Sequence, residues 1–530
     1  MKKKLFLLFI LCHAYLYAEN PSFKEIEVMP SSYAKDYYTW RFLQDKSTKK
    51  PEALTAYKWT KRKSSKLRKA IQKKVGYVPQ EKKFKKKKDL KNYIIYPSTA
   101  SKKNLKNLKK LYKKIQKQGK YSDVLEVMSS NNPFEKLAIF PAKTQTYILN
   151  GVSYNYRNKY FNNPFTQKQL KELFNESQFD TSIEKIVTNP NLLKLRASLL
   201  IPMDNNLSFQ SNFLLAINAV SFEKKEIALK FLKIARQKTN FQSQFDQVDF
   251  WLYLVSSDKE YLNLLYTSPQ VNLYTLSARD SLNKEYPKVI IPNLGFYHIN
   301  HFDIHNPIAW EKIKLKMKKT PNTLATLAEE YNSSTTVGVY SYLKEKASKY
   351  QIPYYPMPYR DALWGLSKER IAILYAIARQ ESRFIPASVS PSYALGMMQI
   401  MPFLIKHLAK ERGEELDLNE MFDPHIALSY ANQHMDYLNK WLYHPLFVAY
   451  AYNGGIGFTK KTIRKKHLFK KGKYEPYLSM ELINNIESRE YAKKVLANYV
   501  IYLNALGTQI KLSDLLSTLT DPSQTDRFRK

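Results

Sequence analysis

Residues 367–402 read SKERIAILYAIARQESRFIPASVSPSYALGMMQIMP, and this stretch sets both the fold class and the place to look for chemistry. Ser367 is an N-cap residue type just ahead of the first apolar position. Ile371, Leu374, Tyr375 and Ala378 recur at i, i+3, i+4 and i+7, one stripe of a helix. The spacing predicts a helix from Ser367 to Arg383, closed by Pro386. Glu381 lies three residues beyond Ala378 and seven beyond Leu374, so it falls on the apolar face. Burial and the negative end of the helix both disfavour its ionised form. A carboxyl that keeps its proton near neutral pH is suited to general acid work. The plainer alternative is a solvated helix-end glutamate paired with Arg379 or Arg383.

Further segments follow. Ser388, Ser390 and Ser392 lead into Gly396-Met397-Met398-Gln399, then Met401 and Pro402. Ala451-Tyr452-Asn453-Gly454-Gly455 reads as a helix end running into a glycine turn, and alone would be an ordinary C-cap. In Glu487-Ser488-Arg489-Glu490-Tyr491 the first and last residues are four apart and share a helix face. Glu487 and Tyr491 are also readable as surface partners of Lys493 or Lys494. In this order the segments resemble the catalytic domain of the soluble lytic murein transglycosylases of glycoside hydrolase family 23, a lysozyme-like α-helical domain. The family pattern has Glu-Ser, a Ser nine residues after the Glu (here Ser390), Gly-Leu-Met-Gln, and Pro. Met397 replaces Leu, Ser488 replaces Thr and Ala492 replaces Val. Tyr393 stands where the family has Gly, which tolerates backbone angles that tyrosine does not. Either the loop differs, or Tyr393 points into the cleft as a sugar platform.

The resemblance implies Glu381 as the catalytic residue. It implies Ser390, Met398, Gln399, Met401, Tyr452, Asn453, Glu487 and Tyr491 as the substrate-binding set. Tyr491 would reach toward the carboxyl, and Glu487 would order the wall behind it. Of Met397, Met398 and Met401, two are expected to fill the core, and Met401 to line the cleft. No second carboxylate accompanies Glu381 in its own motif, and Asp417, Asp423 and Asp436 fall in segments that read as loop or helix surface. Ordinary glycoside hydrolysis wants a carboxylate pair. The implied reaction uses Glu381 twice, as acid and then as base, and gives a 1,6-anhydromuramoyl end without consuming water. A hydrolytic muramidase of goose-lysozyme type and a non-catalytic cell-wall-binding scaffold are the alternatives. Neither a cofactor nor a metal is expected, since the nine histidines show no close pairing with acidic or cysteine partners.

At 530 residues the chain suggests more than one domain. Met1-Lys2-Lys3-Lys4 followed by an apolar run reads as a signal peptide over 1–18, cleaved after Ala18, hence a periplasmic address; an uncleaved anchor is the alternative. Its removal takes three lysines and no acidic residue from a net charge of +39, leaving +36. It also takes Cys12, the only cysteine, which suits an oxidising compartment. No other apolar run is long enough to span a membrane. The Lys82–Lys88 run and the segment 102–120 are dense in lysine. An exported chain has little access to nucleic acid, so none is expected as a partner; weak attraction to wall or membrane carboxylates and phosphates, or a solvated face, remain. The expected partner is the peptidoglycan strand, and oligomeric state is left open.

The front half carries apolar residues at helical spacing, as in Ile227, Leu229, Phe231, Leu232 and Ile234. It reads as stacked short helices without a strict repeat, like the superhelical region preceding the catalytic domain in the resembled family. The expected architecture is mainly α. A superhelical domain would run over 19–355, with 60–120 basic and partly flexible. Pro353, Pro356 and Pro358 mark a boundary to a catalytic domain over 356–510, and a polar tail occupies 511–530 with a helical signal from Leu512 to Leu519.

Overall fold

The computed structural model describes residues 20–79, 95–115 and 122–529. The signal-peptide reading, Cys12, the Lys82–Lys88 run and part of the segment 102–120 lie outside them. Among the described residues the chain is built of helices, with β-contacts limited to isolated bridges such as Val389 to Leu395 and Leu395 to Ile400. The helices that matter for the site are α1 (Tyr33–Phe42), α2 (Lys50–Trp59), α3 (Ser65–Val75), α4 (Lys368–Ser382), α5 (Pro402–Arg412), α6 (Pro424–Asn439), α7 (Pro445–Gly454), α8 (Ile456–Ile463) and α9 (Ile486–Ala505). No described helix is long and apolar enough to cross a membrane.

Among the described residues between Phe23 and Ser281 short helices follow one another, with the apolar spacing of the sequence turned inward: Phe231, Leu232, Phe250 and Trp251 are all buried. Part of the basic stretch is ordered in the same way, since Leu67, Ala70 and Ile71 bury one face of α3 and leave its lysines largely outside. One contiguous apolar cluster runs from Ala34 to Leu519, so the front helices and the terminal third share a core. A smaller cluster around Trp310, Leu327 and Leu343 packs on Ile385. The tail folds back: Leu512, Leu516 and Leu519 are buried, and the Tyr286 hydroxyl accepts from the Leu512 amide at 2.6 Å.

α9 is the buried axis of the terminal region and packs along α4 and α7. Two buried polar clusters tie the front half to it. Glu481 accepts from the Tyr274 hydroxyl at 2.6 Å, from Lys493 Nζ at 3.0 Å and from Gln247 Nε2 at 3.2 Å. Glu345, on the helix Val337–Ala347, takes both arginines of the α4 end. Its Oε1 accepts from Arg379 and its Oε2 lies 2.8 Å from Arg383. The Arg379 guanidinium also lies over the Tyr355 ring at 4.0 Å.

Breaking a buried ion pair from one side leaves an uncompensated charge, at a cost of roughly 3–5 kcal/mol. Glu345→Ala should therefore lose stability of that order in denaturant unfolding. A loss below about 1 kcal/mol would show that the two arginines find water instead.

Candidate active site

Helix α4 begins as its sequence directs, with the Ser367 hydroxyl accepting from the Arg370 amide, and ends at Arg383 in the left-handed region at φ 58°. Glu381 in its last turn opens onto a cleft with a cavity volume of about 770 Å³. The cleft is walled by the loop 390–401, by Phe403 and Leu404 of α5, by His434 and Tyr437 of α6, by the end of α7 with Gly455 and Ile456, and by Glu487 of α9. One residue of the front helices, Arg62, joins them.

Burial is the main influence on the Glu381 carboxyl and pushes its pKa up to about 7. The Tyr491 hydroxyl, which donates to Glu381 Oε1 at 2.8 Å, pulls the other way, and the nearby Glu487 adds to the rise. Burial holds the Tyr491 hydroxyl well above its ordinary pKa, so it stays a donor. The solvated-pair reading of Glu381 fails: Arg379 and Arg383 both turn to Glu345, and among the described residues no cation offsets the carboxyl's desolvation.

The loop after α4 is held from three sides. The Ser382 hydroxyl donates to the Met397 carbonyl at 2.8 Å, and the Tyr452 hydroxyl donates to the Met398 carbonyl at 2.8 Å. Gly396 has φ 75°, and a Cβ there would meet the Met421 carbonyl oxygen at 2.0 Å, so this position requires glycine. On the third side is Tyr393, which takes the left-handed backbone of the glycine it replaces, at φ 65°. It is not a sugar platform. Its ring is buried against Trp40 at 5.6 Å and Tyr37 at 6.1 Å, and its hydroxyl lies 3.1 Å from Ser64 Oγ.

The structure brings Glu381, Ser390, Gln399, Met401, Tyr452, Asn453 and Glu487 onto one cleft. Tyr491 lies behind it and reaches it through Glu381. Met398 departs from the expectation. Its side chain is fully buried in the core along with Met397, and only its carbonyl serves the wall. Ser390 is turned onto its own loop, its Oγ accepting from the Ala394 amide at 2.9 Å. Gln399 lines the cleft and spends its amide nitrogen on the Ser388 and Gly396 carbonyls, at 3.1 and 2.8 Å. The Asn453 side-chain Oδ1 accepts from the Ser488 hydroxyl at 2.7 Å.

A second carboxylate, Glu487, does share the cleft; it comes from another helix than Glu381 and was not visible in that motif. Asp417, Asp423 and Asp436 are elsewhere: Asp417 pairs with Arg41, Asp423 caps α6, and Asp436 pairs with Arg370. Sequence reasoning missed Arg62, Phe403 and His434. Phe403 is 71% exposed and offers a free aromatic face, a signal that an apolar residue just after Pro402 could have given. His434 is buried enough that its pKa falls to about 4, so it lines the cleft uncharged. Among the described residues no group of three or more His, Cys, Asp or Glu is placed to hold a metal ion.

Residues 367–475 match the Transglycosylase SLT domain family. Over 163 residues the chain is 28% identical to the soluble lytic murein transglycosylase of Salmonella typhimurium, covering 29% of this chain and 24% of that protein. Over 135 residues it is 30% identical to the soluble lytic murein transglycosylase of Escherichia coli K12, covering 25% of this chain and 20% of that one. The matched stretch thus spans a quarter or less of the curated relatives' length. Among solved structures, the 70 kDa soluble lytic transglycosylase of Escherichia coli is similar at a TM-score of 0.47 and 16% identity, covering 95% of this chain and 84% of that chain. An inactive mutant of lytic transglycosylase Slt from Pseudomonas aeruginosa is similar at 0.46 and 16%, covering 90% and 79%.

The opposing influences on Glu381 give a paired prediction. Tyr491→Phe removes the bond that lowers its pKa, and should move the alkaline limb of the pH–activity profile upward. Glu487→Gln removes a like charge and should move it downward. Shifts in the same direction would contradict this electrostatic account. The folded carboxyl holds its proton up to about pH 7, whereas an unfolded one releases it near 4.5. Between those values the folded state binds more protons, so stability falls as pH rises, by up to roughly 3 kcal/mol. Glu381→Gln should therefore stabilise the protein at about pH 8 and hardly at all at about pH 4. An equal effect at both, read from thermal melts, would show that the carboxyl is not held protonated.

Proposed function

We propose that this chain, which carries a Transglycosylase SLT domain, is a peptidoglycan lytic transglycosylase that cuts the bond between N-acetylmuramic acid and N-acetylglucosamine without water. The observation that carries the reading is a half-buried carboxyl with a raised pKa and no cation partner among the described residues, opening onto a cleft and held by a tyrosine hydroxyl. Such a group holds a proton at neutral pH and can give it to a glycosidic oxygen.

In the first step Glu381 protonates the oxygen leaving C1 of the muramic acid, and the C1–O bond breaks to free the 4-hydroxyl of the next sugar. The substrate's own acetamide supports the positive charge that develops at C1. The Glu381 carboxylate then takes the proton of the 6-hydroxyl as O6 bonds to C1. The product ends in a 1,6-anhydro ring, and Glu381 regains its proton. Tyr491 keeps the carboxyl in one rotamer and stabilises its ionised form between the two steps. Phe403, Met401, Tyr452 and Gln399 supply the apolar and polar faces that a glycan needs. Residues 356–510 form the catalytic domain and 19–355 the superhelical one. The leader at 1–18 places the mature chain in the periplasm.

Glu487 favours a second reading, a muramidase in which this carboxylate directs water at C1. Mass spectrometry of muropeptides released from purified peptidoglycan separates the two, with Glu381→Gln as control. Products lighter by one water than the reducing-end forms are expected from the unaltered chain, and a loss of at least about a thousandfold in rate from the variant. Reducing-end products would establish the hydrolytic reading. Release by the variant at the same rate would remove Glu381 from the chemistry.

A further inference from the structure

Among the described residues, Arg62 is the one cationic side chain on a cleft wall whose acidic side chains are Glu381 and Glu487. It reaches that wall from the front helices, on the short loop between α2 and α3. The loop is tightly built. The buried Asp36 carboxylate accepts from the amides of Lys61 at 2.6 Å and Arg62 at 2.9 Å. Ser64 caps α3 and meets the Tyr393 hydroxyl, and Lys66 Nζ donates to the Ser392 carbonyl at 2.8 Å. The neighbouring side chains are engaged within the protein: Lys61 lies over the Tyr33 ring at 4.4 Å, and Lys63 Nζ donates to Thr60 Oγ1 at 2.6 Å. The Arg62 side chain is exposed and makes no hydrogen bond or ion pair among the described residues. The loop is thus fixed on both flanks, and its free group is a guanidinium at the cleft.

We infer that Arg62 is a specificity residue that pairs with a carboxylate borne on the 3-O substituent of the muramic acid. This rests on the glycan-cleaving reading above. A guanidinium matches a carboxylate with paired N–H donors, a geometry that a neutral sugar does not offer. Without Arg62 the charge facing an acidic polymer from the described cleft wall would come from the Glu487 carboxylate, and like charges repel. With it, an unbranched neutral glycan of the same length gains nothing, whereas a strand carrying carboxylates is held. Two sources share this chemistry: a stem-peptide carboxylate, or the lactyl carboxylate exposed when the peptide is removed.

Binding measured in the Glu381→Gln background reads Arg62 without turnover. The probes are soluble peptidoglycan strands with stem peptides, the same strands stripped by an amidase, and a neutral N-acetylglucosamine oligomer of equal length. Adding Arg62→Gln is expected to weaken binding of a carboxylate-bearing strand about tenfold and to flatten its salt dependence, with Arg62→Lys in between. Loss confined to peptide-bearing strands assigns the stem peptide, and loss on stripped strands assigns the lactyl group. The neutral oligomer should bind both chains equally. If Glu381→Gln binds the strands and Arg62→Gln changes nothing, or weakens the neutral oligomer as much, the inference is overturned while the glycan reading stands. If Glu381→Gln binds no strand at all and the unaltered chain releases no product, the glycan reading itself has failed.

Discussion

The Glu345 carboxylate takes Arg379 and Arg383 away from the end of α4, and the character of the cleft depends on that pairing. An unpaired glutamate beside two arginines would recruit one of them, ionise fully and lose its use as an acid. Here a buried anion from a different helix pairs with both cations, and Glu381 is left with desolvation, a like charge and one hydroxyl. The cost of keeping such a carboxyl is the instability of its ionised form at alkaline pH. That cost is the ordinary signature of a group tuned for proton transfer rather than for holding the fold together.

The second constraint is the loop over the cleft. Its inner edge hangs on Ser382 and Tyr452, and Gly396 lets it pass within contact of the Met421 carbonyl. Its outer edge is gripped by the front helices through Trp40, Tyr37, Ser64 and Lys66 around Tyr393. The Arg41–Asp417 pair and the bond from the Tyr37 hydroxyl to Asn419 at 2.9 Å fasten the same helices beside it. Residues more than three hundred positions upstream therefore help shape the cleft wall, and they bring Arg62 into it.

Much of this was legible in residues 367–402. The 3.6-residue stripe and the Ser367 cap are local properties, and the helix starts and ends where they direct. The placing of Glu381 on the buried face follows from the same period, and the glycine turn after Asn453 follows from Gly455 at φ 83°. What the sequence could not show was long-range. Tyr393 looked out of place because the aromatic pocket that stabilises its left-handed backbone comes from residues 37–64. Met398 read as a wall residue, but the turn at Gln399, with φ 50°, sends its side chain inward and its carbonyl to Tyr452. Arg62 lies in a lysine-rich stretch where one more positive charge carries no signal, and only docking of α3 on the loop singles it out. Glu487 enters the cleft from a helix more than a hundred residues after Glu381, so no local motif pairs the two carboxylates.

The most direct test of the account is the protonation of Glu381 itself. Infrared difference spectra between the unaltered chain and Glu381→Gln, taken across pH, isolate the carboxyl band of this residue. The expected result is a band that persists through mildly acidic pH and titrates with a midpoint near 7. A midpoint close to the ordinary 4.5 would mean that water or a cation reaches the carboxyl, and would contradict the acid role on which the reading stands.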